Sequence, residues 1–194
     1  MAEIDSVASS SKAPKDEVRV NRAPVLTLWG AVVAERLGHD RDAALTLGKA
    51  VAGLNAVSKG RRLGIYEEPE PEEREAPRAK VKRVSLLGRR IPVARTAEGL
   101  RAVRQKTPEN PATVARYLER AFGSALVAVR AAMTELAASL SKAELEKRAY
   151  ALYEQFRPKV PEGAKGWGAK GTLDLAGLEK LAGRPRARTR RGRT

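Results

Sequence analysis

The sequence predicts a mainly α protein: an N-terminal helical hairpin, a short β-hairpin, and a C-terminal bundle of about four helices with a disordered basic tail. Three observations carry this. Apolar residues recur at three- and four-residue spacing in successive blocks that open on capping residues and close on glycine or proline. Hydrophobic content is 42% but aromatic content only 4%, so the apolar faces are Ala-rich and suit closely packed helices better than a large sandwich core. One stretch alone, around Gly88, reads as two β-prone runs about a turn.

Residues 1–20 lack apolar periodicity and are expected to be a mobile arm. Asn21 is positioned to cap a first helix with Pro24 in its first turn, and Val25, Leu28, Trp29, Val32, Val33 and Leu37 follow at helical spacing. Gly38 stops it. Asp40 can cap a second helix with the stripe Ala44, Leu45, Val51, Leu54 and Val57, ending at Gly60. Residues 21–66 form this helical unit, too small to be very stable alone, so docking on the rest or dimerisation is expected. Residues 67–77 hold a Pro-broken acidic run that self-repels and reads as a linker.

In 78–106, Val84 and Leu86 precede Gly88 and Ile91 and Val93 follow it, giving the hairpin. Pro92 predicts an edge strand, and Thr96 is placed to cap a short helix over 97–105. In 107–182, Asn110-Pro111 opens one helix that Gly123 closes. A second begins at Ser124 with Val129, Met133 and Leu136 on one face. Ser141 and Glu144 form a capping box for a third, whose face is Leu145, Ala149, Leu152 and Phe156 and which Pro158 ends. A last helix spans about 174–182.

The chemistry is narrowed by what is missing. There is no Cys, which removes disulfides, thiolate metal sites and Cys nucleophiles. The one imidazole, His39, sits between Gly38 and Asp40 and reads as a solvated turn residue. No paired carboxylates suggest a general acid and base, and no catalytic, cofactor or metal residues are assigned. The first residues lack a signal-peptide core, and charges interrupt the apolar stretches. The expectation is a cytoplasmic protein, with nucleoid association possible in principle and no membrane partner.

Charge is the strongest functional signal. The formal net charge is +15, and it is accounted for by two segments: 76–106, with ten cations against Glu98, and 183–194, with six arginines and no acid. Local cation excess of this kind matches a polyanionic partner. The candidate contacts are Lys80, Lys82, Arg83, Arg89 and Arg90 on the hairpin, with Lys80 and Lys82 on a wet side, Val81 and Val84 on a dry one, and Arg89–Arg90 at a protruding tip. Arg184, Arg186, Arg188, Arg190, Arg191 and Arg193 of the tail would order on binding. Lys59, Arg61 and Arg62 add phosphate contacts at the end of the second helix.

Two further motifs stand out. Ala34, Leu37, Gly38, Ala44 and Leu47 fit spaced positions of a helix-turn-helix, so 33–54 partly resembles that DNA-reading motif. The resemblance implies a second helix lying in a major groove, yet Asp40-Arg41-Asp42 puts two carboxylates at its contact end and His39 stands where an apolar residue is usual. Gly166, Gly168 and Gly171 spell a dinucleotide fingerprint without its strand–helix context. Trp167 there reads as a loop anchor or a base-stacking residue flanked by Lys165 and Lys170. Together these predict a non-catalytic nucleic-acid-binding protein, DNA ahead of RNA, with backbone-dominated contacts and low sequence specificity. The alternative is a protein-interaction adaptor, or a ribosome-associated factor whose basic segments contact rRNA, with a protein partner or homodimer formed through the helical units.

Overall fold

A computed structural model describes residues 17–64, 82–163 and 168–183. The arm up to residue 16, the acidic linker 67–77, Lys80, Lys165, Trp167 and the arginines from Arg184 to Arg193 lie outside those residues. The described chain is mainly helical, with two small antiparallel sheets: β1 Glu17–Val20, α1 Arg22–Leu37, α2 Arg41–Arg62, β2 Arg83–Leu86, β3 Arg89–Thr96, β4 Gly99–Arg104, β5 Thr107–Pro108, α3 Pro111–Phe122, α4 Leu126–Ala138, α5 Lys142–Phe156, β6 Gly171–Asp174 and α6 Leu175–Leu181.

The centre of the core is α1. Every residue from Pro24 to Ala34 is buried, so this helix is apolar on all sides and is wrapped by other elements rather than presenting one stripe. Trp29 fixes its depth. The indole Nε1 donates to the Ala149 carbonyl of α5 at 2.8 Å, and the ring meets Phe156 edge-on at 5.3 Å. A buried indole needs such a partner for its N–H. On the other side α1 crosses α2 at a pair of glycines. A Cβ on Gly48 would lie 2.2 Å from the Thr27 carbonyl oxygen and 2.7 Å from the Ala31 nitrogen, and one on Gly30 would lie 2.9 Å from the Gly48 Cα. The two backbones touch, which no side chain permits. The N-terminal helices therefore dock on the rest, and a single continuous core joins them to α3–α6 and the hairpin sheet.

Several helix boundaries follow local capping chemistry. Gly38 closes α1 at φ +109°, the Asp40 carboxylate accepts from the Ala43 amide, the Asn110 side chain accepts from Ala112 and Thr113, and Ser141 with Glu144 closes the capping box. Asp174 caps α6 through the Gly177 amide. Asn21 is the N-cap residue as expected, with an extended backbone, but its side chain makes no cap bond and its Oδ1 is buried with no partner among the described residues. One expected boundary is corrected. Gly60 lies buried inside α2, which continues to Arg62.

The β content exceeds expectation. Residues 17–20, expected to belong to the mobile arm, form β1 and pair with β6 from Glu17↔Asp174 to Val20↔Gly171. Residues 97–105, expected as a helix, are instead a turn and β4. Thr96 Oγ1 donates to the Gly99 carbonyl and accepts from the Glu98 amide, closing a hairpin where a cap was expected. A second turn, Gln105–Lys106, has positive φ at both residues (48° and 67°) and leads to β5. The sheet order is β2-β3-β4-β5, so β3 is an inner strand and not the edge that Pro92 suggested. Pro92 is tolerated because the Val93 amide points to Lys82, leaving its neighbour facing away from β2, and the register with β4 begins only at Val93.

Residues Pro111–Ala138 are long and apolar enough to cross a membrane by length and composition alone, beyond what the sequence reading allowed. In the fold the chain passes through a 3-10 turn at Gly123–Ala125, and Val129, Met133 and Leu136 are spent on the core.

Candidate polyanion-binding surface

The two halves of α2 determine where cations can be presented. Its first half is closed. Residues Ala43 to Gly48 are buried in an unbroken run, because α1 covers one side and the sheet another. Thr46 Oγ1 accepts the Ala102 amide of β4 at 3.0 Å. Asp42 pairs at 3.3 Å with Arg101, which is 3% exposed and also donates to the Leu100 and Glu98 carbonyls. The helix that resembled a recognition helix thus exposes Asp40, Arg41 and Asp42 at its start, while the run from Ala43 to Gly48 that follows is packed against α1 and the sheet. Its carboxylate is used on a neighbouring strand, and Arg101 is withdrawn from any external anion.

The second half of α2 is open. Lys59, Arg61 and Arg62 are exposed in its last turns, where cations also complement the helix dipole. The hairpin docks against this half. Its turn residue Leu87 is 5% exposed at φ +47° and belongs to the core, while Gly88 beside it is exposed. Arg89 folds back from the turn. Its guanidinium donates to Ser58 Oγ at 3.1 Å and to Asn55 Oδ1 at 3.3 Å. Asn55 Oδ1 also accepts the Tyr150 hydroxyl at 3.1 Å, which ties β3, α2 and α5 together.

The wet side of the hairpin is also revised. Register pairs Arg83 with Pro92 and Ser85 with Arg90, putting the exposed Arg83 and Arg90 on one face. Lys82 is exposed just before β2 but shares the parity of Val84 and Leu86. Arg104 is neutralised by Glu109 at 2.7 Å. Lys82, Arg83, Arg90, Lys59, Arg61 and Arg62 have no acidic partner among the described residues.

Beside these cations a groove of about 960 Å³ runs between the second half of α2 and the second half of α5, floored by the first turn of α1. Lys59 and Arg62 line one wall. Tyr150, Tyr153 and Arg157 line the other, where Glu154 pairs with Arg157 at 3.0 Å. The tyrosine rings are 6.0 Å apart, and the Tyr153 hydroxyl donates to the Arg22 carbonyl at 3.4 Å. Burial pushes the Tyr153 phenol up to about 12, so it stays neutral and acts as a donor. Tyr150, Tyr153, Asn55, Arg22 and Arg157 were not anticipated as site residues. They come from three separated segments, and the local signal for them is the pair Tyr150 and Tyr153 beside the apolar face of α5.

On the far side of α2, Lys49 lies 3.7 Å over the Tyr117 ring, and burial lowers its pKa while Glu109 opposes the shift. Lys170 is exposed just before β6. The glycine that follows it has a packing role: a Cβ on Gly171 would lie 2.8 Å from the Lys159 carbonyl oxygen. Since β6 pairs antiparallel with β1, the glycine triplet has no βαβ setting. Among the described residues, no group of three or more His, Asp and Glu is placed to hold a metal ion. No protein-family model, curated protein or solved structure matches the chain.

Proposed function

We propose that the protein binds nucleic acid without catalysing a reaction on it, gripping the phosphate backbone with low sequence specificity and DNA ahead of RNA. One observation carries this reading: Lys82, Arg83 and Arg90 on the sheet and Lys59, Arg61 and Arg62 on α2 are exposed without an acidic partner among the described residues, and Arg89 bonds the two elements together. Six exposed cations on two docked elements can neutralise several phosphates at once and release their counterions. Burial of Ala43 to Gly48 in α2 supports backbone contact over base reading by that helix. The tail arginines, Arg184 to Arg193, add sequence-independent charge that orders on the same partner, and the site operates in the cytoplasm or on a nucleoid.

The test is a titration against duplex DNA, structured RNA and an acidic protein at several salt concentrations. Nucleic-acid affinity falling linearly in log–log form with salt, and no comparable affinity for the acidic protein, is the expected result. Absence of nucleic-acid binding at moderate salt overturns the reading.

A protein-interaction role is the second reading, and the outer face of α4 favours it. Val127 is 79% exposed, and Ala128, Ala131, Thr134 and Ala138 continue an uncharged surface along the helix. Sedimentation showing a dimer that Val127→Glu dissociates supports it, whereas a monomer with no partner-dependent change removes it.

A further inference from the structure

The geometry points to the groove between α2 and α5 as a site for an unpaired nucleotide, so that the protein prefers single-stranded to duplex nucleic acid. This rests on the nucleic-acid reading and specifies which form of nucleic acid the surface is built for.

Three features of the groove argue for it. The first is the order of its surfaces. Lys59 and Arg62 stand on the α2 wall three residues apart, and the walls descend to an apolar floor that includes Leu26, Ala52 and Ala56. A duplex keeps its bases paired and stacked inside, so it can offer the rim only phosphates. An unpaired nucleotide can leave its phosphate at the rim and turn its base onto Ala56 and the half-buried Tyr150 ring, which the buried Tyr153, Leu26 and Ala52 back. The α2 face involved, from Asn55 to Leu63, is about 12 Å long at the helical rise, which suits one or two nucleotides.

The second is a hydrogen-bond donor. Two donors, from Arg89 and Tyr150, converge on Asn55 Oδ1. That fixes the amide orientation and leaves the Nδ2 group of a groove-lining residue without a bond among the described residues. An amide N–H₂ can donate to a base carbonyl or ring nitrogen. Tyr150 itself spends its hydroxyl proton on Asn55, so its ring enters the site as an apolar surface.

The third is continuity with the basic sheet. Arg89 bonds to Asn55, which lines the groove, and to Ser58 beside it, while its neighbour Arg90 is exposed on the sheet. The sheet that carries Arg83 and Arg90 is thus fastened to the groove wall, and a strand held at Lys59 and Arg62 has further cations on the adjoining element. The stack of cationic track, aromatic wall and free amide donor is what sequence-tolerant single-strand binding requires. Both single-stranded DNA and single-stranded RNA present this chemistry.

The experiment is fluorescence anisotropy of the full chain with labelled single-stranded DNA, single-stranded RNA and duplex DNA of equal length. It compares the natural protein with Ala56→Trp, which fills the floor, and with Lys59→Gln/Arg62→Gln, which removes rim charge from exposed positions. Circular dichroism confirms that each variant is folded. The expected result is tighter binding of a single strand than of duplex, with Ala56→Trp weakening the single strand about tenfold and duplex less than twofold. The DNA and RNA arms show which sugar the site accepts, and a groove-dependent preference in either arm supports the proposal. If single strand and duplex bind alike, both lose affinity in Lys59→Gln/Arg62→Gln and neither responds to Ala56→Trp, the groove inference falls and the phosphate-binding reading stands. If no nucleic acid binds, the underlying reading falls. If a poly-glutamate peptide binds the groove more tightly than either strand and loses affinity in Ala56→Trp, the site belongs to an acidic peptide and the proposal is overturned.

Discussion

The two halves of α2 are built from similar residue types and do opposite work. The first half, through Gly48, is sealed: its backbone touches α1, its Thr46 hydroxyl accepts from β4, and its Asp42 holds the buried Arg101. The second half, from Asn55, exposes Lys59, Arg61 and Arg62 and lines the groove with α5. Within the helix-turn-helix-like spacing of 33–54, each small residue has a packing or capping use in this fold. Ala34 is buried, Gly38 is an exposed left-handed cap, and Gly48 lets the two helices touch. Binding, on the proposed reading, belongs to the end of the helix that has no motif.

Substitutions should separate these halves cleanly. The largest effect is expected at the crossing. Gly48→Ala places a Cβ against backbone atoms that cannot yield, and should cost about 3 kcal/mol or more, seen as a Tm lowered by roughly 6–12 °C for a chain of this size. Loss of less than ~1 kcal/mol would show that the helices part easily. Next comes Arg101→Met, which leaves two strand carbonyls and Asp42 without their donor. Because Asp42 is half exposed and partly screened, about 2 kcal/mol is expected by chemical denaturation, with affinity for nucleic acid unchanged in the folded protein.

Tyr153 gives a pH test on the groove side. Its folded pKa of about 12 stands above the ordinary value of 10.0. The stabilisation from keeping the phenol neutral is therefore fully present below pH 10 and is lost as pH rises through 12. In that window the unfolded chain ionises first, at up to about 1.4 kcal/mol per pH unit. Tyr153→Phe should flatten that part of the stability curve, while equal slopes in both proteins would show that the phenol is not buried as described. The smallest effect on stability belongs to Lys59→Gln/Arg62→Gln, expected within about 0.5 kcal/mol, although this pair should shift binding most.

How much of this was legible in the sequence depends on how local the determinants are. Asp40, Asn110, Ser141 with Glu144, and Asp174 act within three residues, and the helices they open were readable from spacing alone. The β2–β3 hairpin was readable for the same reason. β4 was not, because the turn after it uses Gln105 and Lys106 at positive φ without glycine, and Leu100, Ala102 and Val103 suit either period. β1 and β6 are four residues each and find one another across more than 150 residues, a pairing with no local signal. The charge excess was visible, but not its distribution. Burial of Arg101, pairing of Arg104 with Glu109 and the folding back of Arg89 are tertiary events. They reduce the hairpin's free cations and bring α2 into the site. The groove, assembled from α1, α2 and α5, was invisible for the same reason.

On the proposed reading, the exposed cations of the sheet and of the end of α2 bind phosphates together. The most direct measurement is the slope of log affinity against log salt concentration for duplex DNA, compared between the natural protein and Arg83→Gln/Arg90→Gln. Two lost phosphate contacts should make the slope shallower by about 2, at about 0.9 per contact, with stability held within about 0.5 kcal/mol. An unchanged slope in a folded variant would contradict the claim and return the charge of this surface to solvation alone.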